Sequence, residues 1–192
     1  MSVLPTILLI LGAVLLSPEP RVGAAGQWKP FTSKTLHFSV LYPASWNRLL
    51  ALDDLPDPDR LDIINFPNRE RAEGVVIKRG GASISVVGVP PDSPPFYWHS
   101  VDDWIGFSLP HRILIDQSEI PIAAPPSGGC SKLKRVVTQF ETSPGAYQVY
   151  TNYYCEIGGR LYGTFLANWK GDPHQSDLQE IALKIALSLR SR

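Results

Sequence analysis

Cys130 and Cys155 are the only thiols in the chain, and they offer its clearest chemistry. Residues 131–141 and 147–157 read as two strands joined by a turn at 142–145. Closing that hairpin brings the two cysteines within about two or three residues of facing each other. In an oxidising compartment an even count invites pairing. A Cys130–Cys155 disulfide is therefore expected, stabilising by ~3 kcal/mol through its constraint on the unfolded chain. Two separate buried thiols are the competing reading. No C-x-x-C redox motif is present.

The other reactive side chains do not assemble by spacing. His37, His99, His111 and His174 are scattered, and none stands two to four residues from another histidine or from a cysteine. Zinc sites usually show such spacing. The acidic run Asp53, Asp54, Asp57, Asp59 and Asp62 lacks the central glycine and closing glutamate of a calcium-binding EF-hand loop. With Pro56 and Pro58 inside it, it reads as a solvated loop. There is no G-x-S-x-G nucleophile motif. Ser127-Gly128-Gly129 lacks the lysine of a phosphate-binding loop. Glu141 and Glu156 form no pattern that singles out a glycosidase pair. No catalytic residue, metal or cofactor is expected on this reading. The residues with binding potential are Phe96, Tyr97 and Trp98, with Trp104 following, beside Pro90, Pro91, Pro94 and Pro95. A stiff aromatic loop suits protein contacts. The competing reading has these rings covering one end of the core.

Compartment is read from the first 25 residues. An apolar run of 13 residues, 4–16, is followed by Ser-Pro-Glu-Pro and then by Gly23-Ala24-Ala25. That is the order of a secretory signal. The run is shorter than the roughly 20 residues that span a bilayer. Residues 1–25 are expected to be a signal peptide, with 26–192 as one domain. The first three residues carry no Lys or Arg, which leaves an uncleaved anchor as the alternative. No cysteine lies at the cleavage site, so no lipid anchor is expected there. Lys+Arg and Asp+Glu number 18 each. This balance points away from a nucleic acid or an anionic membrane as partner. A mature domain of this size buries roughly 70% of its unfolded surface and does not depend on a metal.

The elements that must position these groups follow from periodicity. Residues 35–42 alternate, with Leu36, Phe38, Val40 and Tyr42 on one face. Residues 46–52 read as a short helical turn. Strands are expected at 60–66, 75–79 and 82–89, the last two joined by Gly80-Gly81. Ser100 is placed to cap a short helix bearing Asp102 and Asp103 in its first turn, with Val101, Trp104 and Ile105 on one face. Residues 111–122 read as a strand and 123–129 as a Pro/Gly loop. Strands 131–141, 147–157 and 160–169 form a meander in which Tyr150 and Tyr154 point away from Val149, Tyr153 and Cys155. A last helix is expected from Ser176, with Ser176 and Gln179 as a capping box. Leu178, Ile181, Ala182, Ile185, Ala186 and Leu189 form its stripe, and Arg190 and Arg192 stand at its negative end.

The block Phe38-Ser39-Val40-Leu41-Tyr42-Pro43-Ala44-Ser45-Trp46 resembles the F-x-x-x-x-P-x-x-W opening of PsbP-like domains. The aromatic-rich meander and the helix ending Ile185-Ala186-Leu187-Ser188-Leu189 resemble the close of the same family. The resemblance implies an α+β single domain, a curved antiparallel sheet flanked by helices, with the C-terminal amphipathic helix packed on the sheet. It also implies a protein partner rather than catalysis, and no functional residue set carries over. The expectation is an exported non-enzymatic binding or accessory protein, secreted or periplasmic. It would contact its partner through a sheet face or the loop 90–98. A small secreted hydrolase or ligand-binding enzyme with an unrecognised active site is the alternative.

Overall fold

The structure is a computed structural model. It describes residues 26–49, 59–66, 77, 81–89 and 98–192. The strand expected at 35–42 is the second arm of a hairpin. Trp28–Ser33 (β1) pairs antiparallel with Phe38–Pro43 (β2), with Phe31 opposite Val40. Residues 34–37 form the turn, and His37 adopts a positive φ of 54° there. Sequence reading missed β1, whose Pro30 and short length hide its alternation.

The expected helical turn at 46–52 is not formed where it can be described. Asn47–Arg48 is a two-residue strand (β3) paired with Leu61–Ile64 (β4). Three contacts hold it extended. Trp46 N donates to Pro43 O at 3.1 Å, Leu49 N donates to Asp62 O at 2.8 Å, and the Asn47 amide donates to Phe66 O at 3.0 Å. Trp46 itself is buried in the core. Residues 50–52 lie outside the described residues, as does most of the strand expected at 75–79.

Ala82–Val89 (β5) forms with the bounds read from its alternation, and its burial alternates residue by residue. Val101–Ser108 (α1) is capped as its sequence implies, the Ser100 hydroxyl accepting from Asp103 N at 3.1 Å. Ile113–Pro121 (β6), Lys132–Ser143 (β7), Ala146–Ile157 (β8) and Arg160–Trp169 (β9) follow. Gln175–Ser188 (α2) and Arg190–Ser191 (β10) close the chain. Seven strands form one antiparallel sheet in the order β3-β4-β5-β9-β8-β7-β6, and β1-β2-β10 form a second. The molecule is α+β, a single domain, with its curved sheet flanked by helices.

The capping box expected at α2 does not form. The helix begins one residue earlier, at Gln175, with His174 as its cap and no side-chain cap bond. Gln179 instead donates to Thr151 Oγ1 at 3.2 Å, tying the helix to the sheet. The other end behaves as expected, since Arg190 donates to Leu187 O at 2.8 Å and Leu189 O at 2.6 Å. The helix lays Leu178, Ala182 and Ile185, all fully buried, against β9, β8 and β2. Phe38, Leu61, Ile84 and Leu166 complete this main core.

Cys130 and Cys155 are bonded, with Cα atoms 6.0 Å apart. The bridge anchors the loop 123–129 to β8. That loop in turn receives the end of the chain, Ser191 N donating to Gly128 O at 2.8 Å. The cysteines are separated by 25 residues. Removing the bridge is expected to lower stability by ~3–4 kcal/mol in the chain-entropy model. Urea denaturation with and without reductant measures this directly, and coincident midpoints would refute it.

Candidate functional site

Side chains alternate between sheet faces, so the pairing register fixes which residues share a face. On the α1 face one row runs Ser83, Ala167, Tyr150, Thr138 across β5, β9, β8 and β7. The next row runs Ser85, Phe165, Asn152, Val136. Helix α1 covers only part of this face, over Tyr154, Leu161 and Val136. Between the end of α1 and Ile77 a cleft of about 260 Å³ stays open. Its lining includes Arg60, Ser83, Ser85, Ser108, Arg112, Gln148, Tyr150 and Asn152, with Phe165 and Ala167 beneath.

Local chain geometry delivers the two cations. Beyond α1 the chain turns through His111, at a positive φ of 69°, with Arg112 N donating to Leu109 O at 3.0 Å. Arg112 then lies flat over Tyr150, its Cζ 4.0 Å from the ring centroid. The Tyr150 hydroxyl donates to Gln148 Oε1 at 2.7 Å. Among the described residues no carboxylate forms an ion pair with Arg112. Arg60 differs. Its Nε lies 2.8 Å from Asp62 Oδ2, its Nη2 donates to Ser85 Oγ at 3.3 Å, and Ser85 also bonds Asp62. The charge of Arg60 is thus matched, and that of Arg112 is open to the cleft.

Asn152 is 5% exposed. Its amide donates to Tyr154 Oη at 3.2 Å, while its carbonyl oxygen has no hydrogen-bond partner. Burial pushes the pKa of Tyr154 and of Tyr150 above the ordinary phenol value, and the positive charge of Arg112 pulls both partly back. Both phenols therefore stay protonated near neutral pH and act as hydrogen-bonding groups. Among the described residues neither histidine nor carboxylate lines the cleft.

The aromatic residues singled out by sequence divide. Trp104 is 5% exposed and packs edge-on against Tyr154 at 5.2 Å and Phe165 at 5.5 Å. It is part of the second core rather than a surface ring. Trp98 stacks on it at 5.1 Å and stays partly exposed. Phe96 and Tyr97, with the rest of the loop 90–97, lie outside the described residues, as do Asp53, Asp54 and Asp57. Asp59 accepts from Thr35 N at 3.3 Å and Ser33 Oγ at 3.4 Å, bracing the β1–β2 turn. His99 N donates to Asp103 Oδ2 at 3.2 Å, and His174 lies 3.8 Å from Asp177 on the surface. Among the described residues no three His, Cys, Asp or Glu side chains converge as metal ligands. Sequence reading missed Arg60, Arg112, Gln148 and Asn152. The signal for Gln148 and Asn152 was polar residues at alternate positions in a strand buried on both faces, whereas Arg60 and Arg112 lie just before β4 and β6 and carried none.

No protein-family model and no curated protein matches the sequence. Solved structures do match in fold. The Ran-binding protein Mog1p of Saccharomyces cerevisiae superposes with a TM-score of 0.53 over 87% of this chain and 96% of its own, at 7% identity. The fold is the one that Mog1p has. Cyanobacterial PsbP from Synechocystis gives a TM-score of 0.44 at 15% identity, over 90% of this chain and 96% of its own. A Bacteroides thetaiotaomicron protein gives 0.47 at 15% identity over 86% of this chain, and this chain spans only about half of it, 49%. The Mog1p likeness carries the fold expected from the F…P…W block, a curved antiparallel sheet between helices.

Gly163 makes the packing of the second core possible. A Cβ there would lie 2.9 Å from Trp104 Cη2 and nearer still to the Phe165 ring. Gly163→Ala is expected to displace both rings and cost about 1–3 kcal/mol. Chemical denaturation followed by tryptophan fluorescence reads both effects, and an unchanged midpoint would contradict this packing.

Proposed function

We propose that this chain is an exported, non-enzymatic binding module that contacts a protein partner through the α1 face of its sheet. On this reading residues 1–25 are removed as a signal peptide and 26–192 function as one domain outside the cytoplasm, secreted or periplasmic. The disulfide supports the compartment, since such bonds persist where the environment is oxidising. Among the described residues no helix is long and apolar enough to cross a membrane.

One observation carries the choice of face. Phe107 on α1 is 62% exposed, and by register Leu114 of β6 and Phe140 of β7, 48% and 40% exposed, lie on the same side of the sheet. Phe107 adjoins Trp98 at 5.3 Å, so the apolar surface continues toward the aromatic loop. Exposed apolar side chains gathered on one face mark contact surfaces. Mog1p, which has this fold, is a Ran-binding protein and is the precedent for a protein partner.

The test is affinity capture from the exported fraction of the source cells. The wild-type chain is compared with a Phe107→Asp, Leu114→Asp variant and with Leu187→Asp on α2. The expected result is a discrete protein retained by wild type and by Leu187→Asp and lost by the double variant. Identical capture by all three overturns the assignment of the face.

A further inference from the structure

β6 is the last strand of the seven-stranded sheet, and among the described residues no strand pairs with its outer edge. Backbone N–H and C=O groups along such an edge are open to another strand. Most of this edge is guarded. Asp116 and Glu119 place charges on it, and Pro121 has no N–H to offer. The bulge at Ile115 bends the strand where that guard begins. Ile113, Leu114 and Ile115 carry neither charge nor proline, and they are 54%, 48% and 55% exposed. Ile113 lies opposite Gln139 and Leu114 opposite Thr138, so the two point to opposite faces of the sheet. By alternation Ile115 returns to the face of Ile113. The unguarded edge is therefore apolar on both faces at once. That combination narrows the occupant. A membrane or a flat protein surface would cover one face and leave the backbone groups of the edge unsatisfied. An added strand covers both faces and satisfies the edge.

We propose that the strand added here is the same segment of a second copy of this chain, the two β6 strands running antiparallel about a two-fold axis at Leu114. The segment is complementary to itself. In that register Leu114 lies opposite Leu114 of the second copy on one face. Ile113 lies opposite Ile115 of the second copy on the other face, and the symmetry repeats this pair. Charge selects the same register. Asp116 comes level with Arg112 of the second copy, an arginine that forms no ion pair within its own chain among the described residues. Opposite charges thus flank the apolar centre at each end. A register centred on Gln117 would instead gather two Asp116 and two Glu119 into one short ladder, where like charges repel. A seam of six half-exposed aliphatic side chains falls below the ~1,200 Å² of a standard interface, so the dimer is weak and reversible.

This inference goes beyond the protein-docking reading. It is measured on the purified, oxidised chain without a partner, and its variants leave Phe107 intact, so either can fail alone. Sedimentation velocity from ~5 to ~500 μM is expected to show a concentration-dependent monomer–dimer equilibrium. Ile113→Lys and Ile115→Lys should each shift it toward monomer by roughly tenfold or more, and Leu187→Lys on α2 should leave it in place. Circular dichroism checks that each variant is folded. Where a lysine disturbs the fold, Ile115→Thr keeps the β-branched shape and should shift the equilibrium in the same direction. A short bis-maleimide reads the register. It should join two copies of Leu114→Cys, which meet at the axis. It should not join two copies of Gln117→Cys, which stand six residues apart along the strands, ~20 Å. A monomer at every concentration, a dimer that withstands the substitutions at both isoleucines, or linkage through Gln117→Cys and not Leu114→Cys overturns the proposal.

Discussion

Burial of the strand Ala146–Ile157 on both of its faces is the constraint from which the rest follows. It pairs with β7 on one side and β9 on the other, and most of its residues are buried. Such a strand cannot use the simple alternation of apolar and polar residues that suits a sheet with one wet face. Each face needs its own cover. Tyr153 and Cys155 face the main core, which α2 and the small sheet close. Tyr154 faces α1. Polar residues caught inside must then find partners within the protein, because water is excluded from both sides. Thr151 does so through Gln179 of α2. Gln148 does so through the Tyr150 hydroxyl. Asn152 is only half satisfied, and it lines the α1-side cleft together with Gln148. Thr164 and Asn168 on β9 also keep unpartnered oxygens, but they lie against the closed α2 side and line none of the open clefts described.

The α2 side is closed by a chain of local attachments that tie the two ends of the domain together. β2 is the middle strand of the small sheet, so the opening hairpin and the final residues share one set of hydrogen bonds. Ser188 at the end of α2 accepts from Leu41 N at 2.9 Å and donates to Ile185 O at 2.7 Å, which fixes the helix against β2. Gly128 has a φ of 69°, and a Cβ there would come within 3.2 Å of Ser191 O. The loop therefore needs glycine to let the last strand approach. The disulfide holds that same loop to β8, so one covalent bond steadies the seam between the two sheets. Among the described residues the α1 side has no equivalent fastening. It relies on ring packing and on the Lys134–Asp102 ion pair, 2.6 Å long and largely exposed at Asp102. Such an exposed pair contributes little. The more weakly fastened face is also the one that carries the cleft and the exposed Phe107.

Elements with strong local periodicity or local hydrogen bonding were legible in the sequence. Residues 82–89 alternate without interruption, Ser100 caps α1 by bonding a backbone N–H three residues on, and β7, β8 and β9 are long and separated by clear turns. The hairpin geometry also sufficed to bring Cys130 to Cys155. What was not legible depended on partners distant in sequence. β3 is two residues long and exists only because Ile63 and Ile64 lie beside it. β10 exists only because β2 has a free edge. The Ser176 capping signal lost because Gln179 reaches Thr151, a contact between elements 28 residues apart. Trp104 was grouped with a surface loop because the sequence does not show Gly163 and Phe165 opposite it. The cleft was least legible of all. Its residues come from the residue before β4, from Ile77, from β5, β8 and β9, and from the end of α1 and the turn after it, and only the sheet register puts Ser83 in one row with Tyr150, and Ser85 with Asn152.

The turn that supplies Arg112 shows how the fold bears the cost of this site. His111 occupies the left-handed region, where a residue with a Cβ is disfavoured by roughly 1–2 kcal/mol. Glycine would relieve that strain, yet the chain has histidine there. The gain that offsets it lies one residue on. A guanidinium stacked on a partly buried phenol ring contributes about 0.5–2 kcal/mol, more as water is excluded. The two magnitudes are comparable, so the turn can be held without a net loss of stability. Among the described residues Arg112 has no ion-pair partner beside this stacking. If Arg112 served stability alone, a carboxylate within reach would strengthen the arrangement, as Asp62 does for Arg60 a short distance across the sheet. Two arginines thus line one cleft, one paired with a carboxylate of the fold and one that follows a strained turn and stacks on a ring, with no ion pair among the described residues.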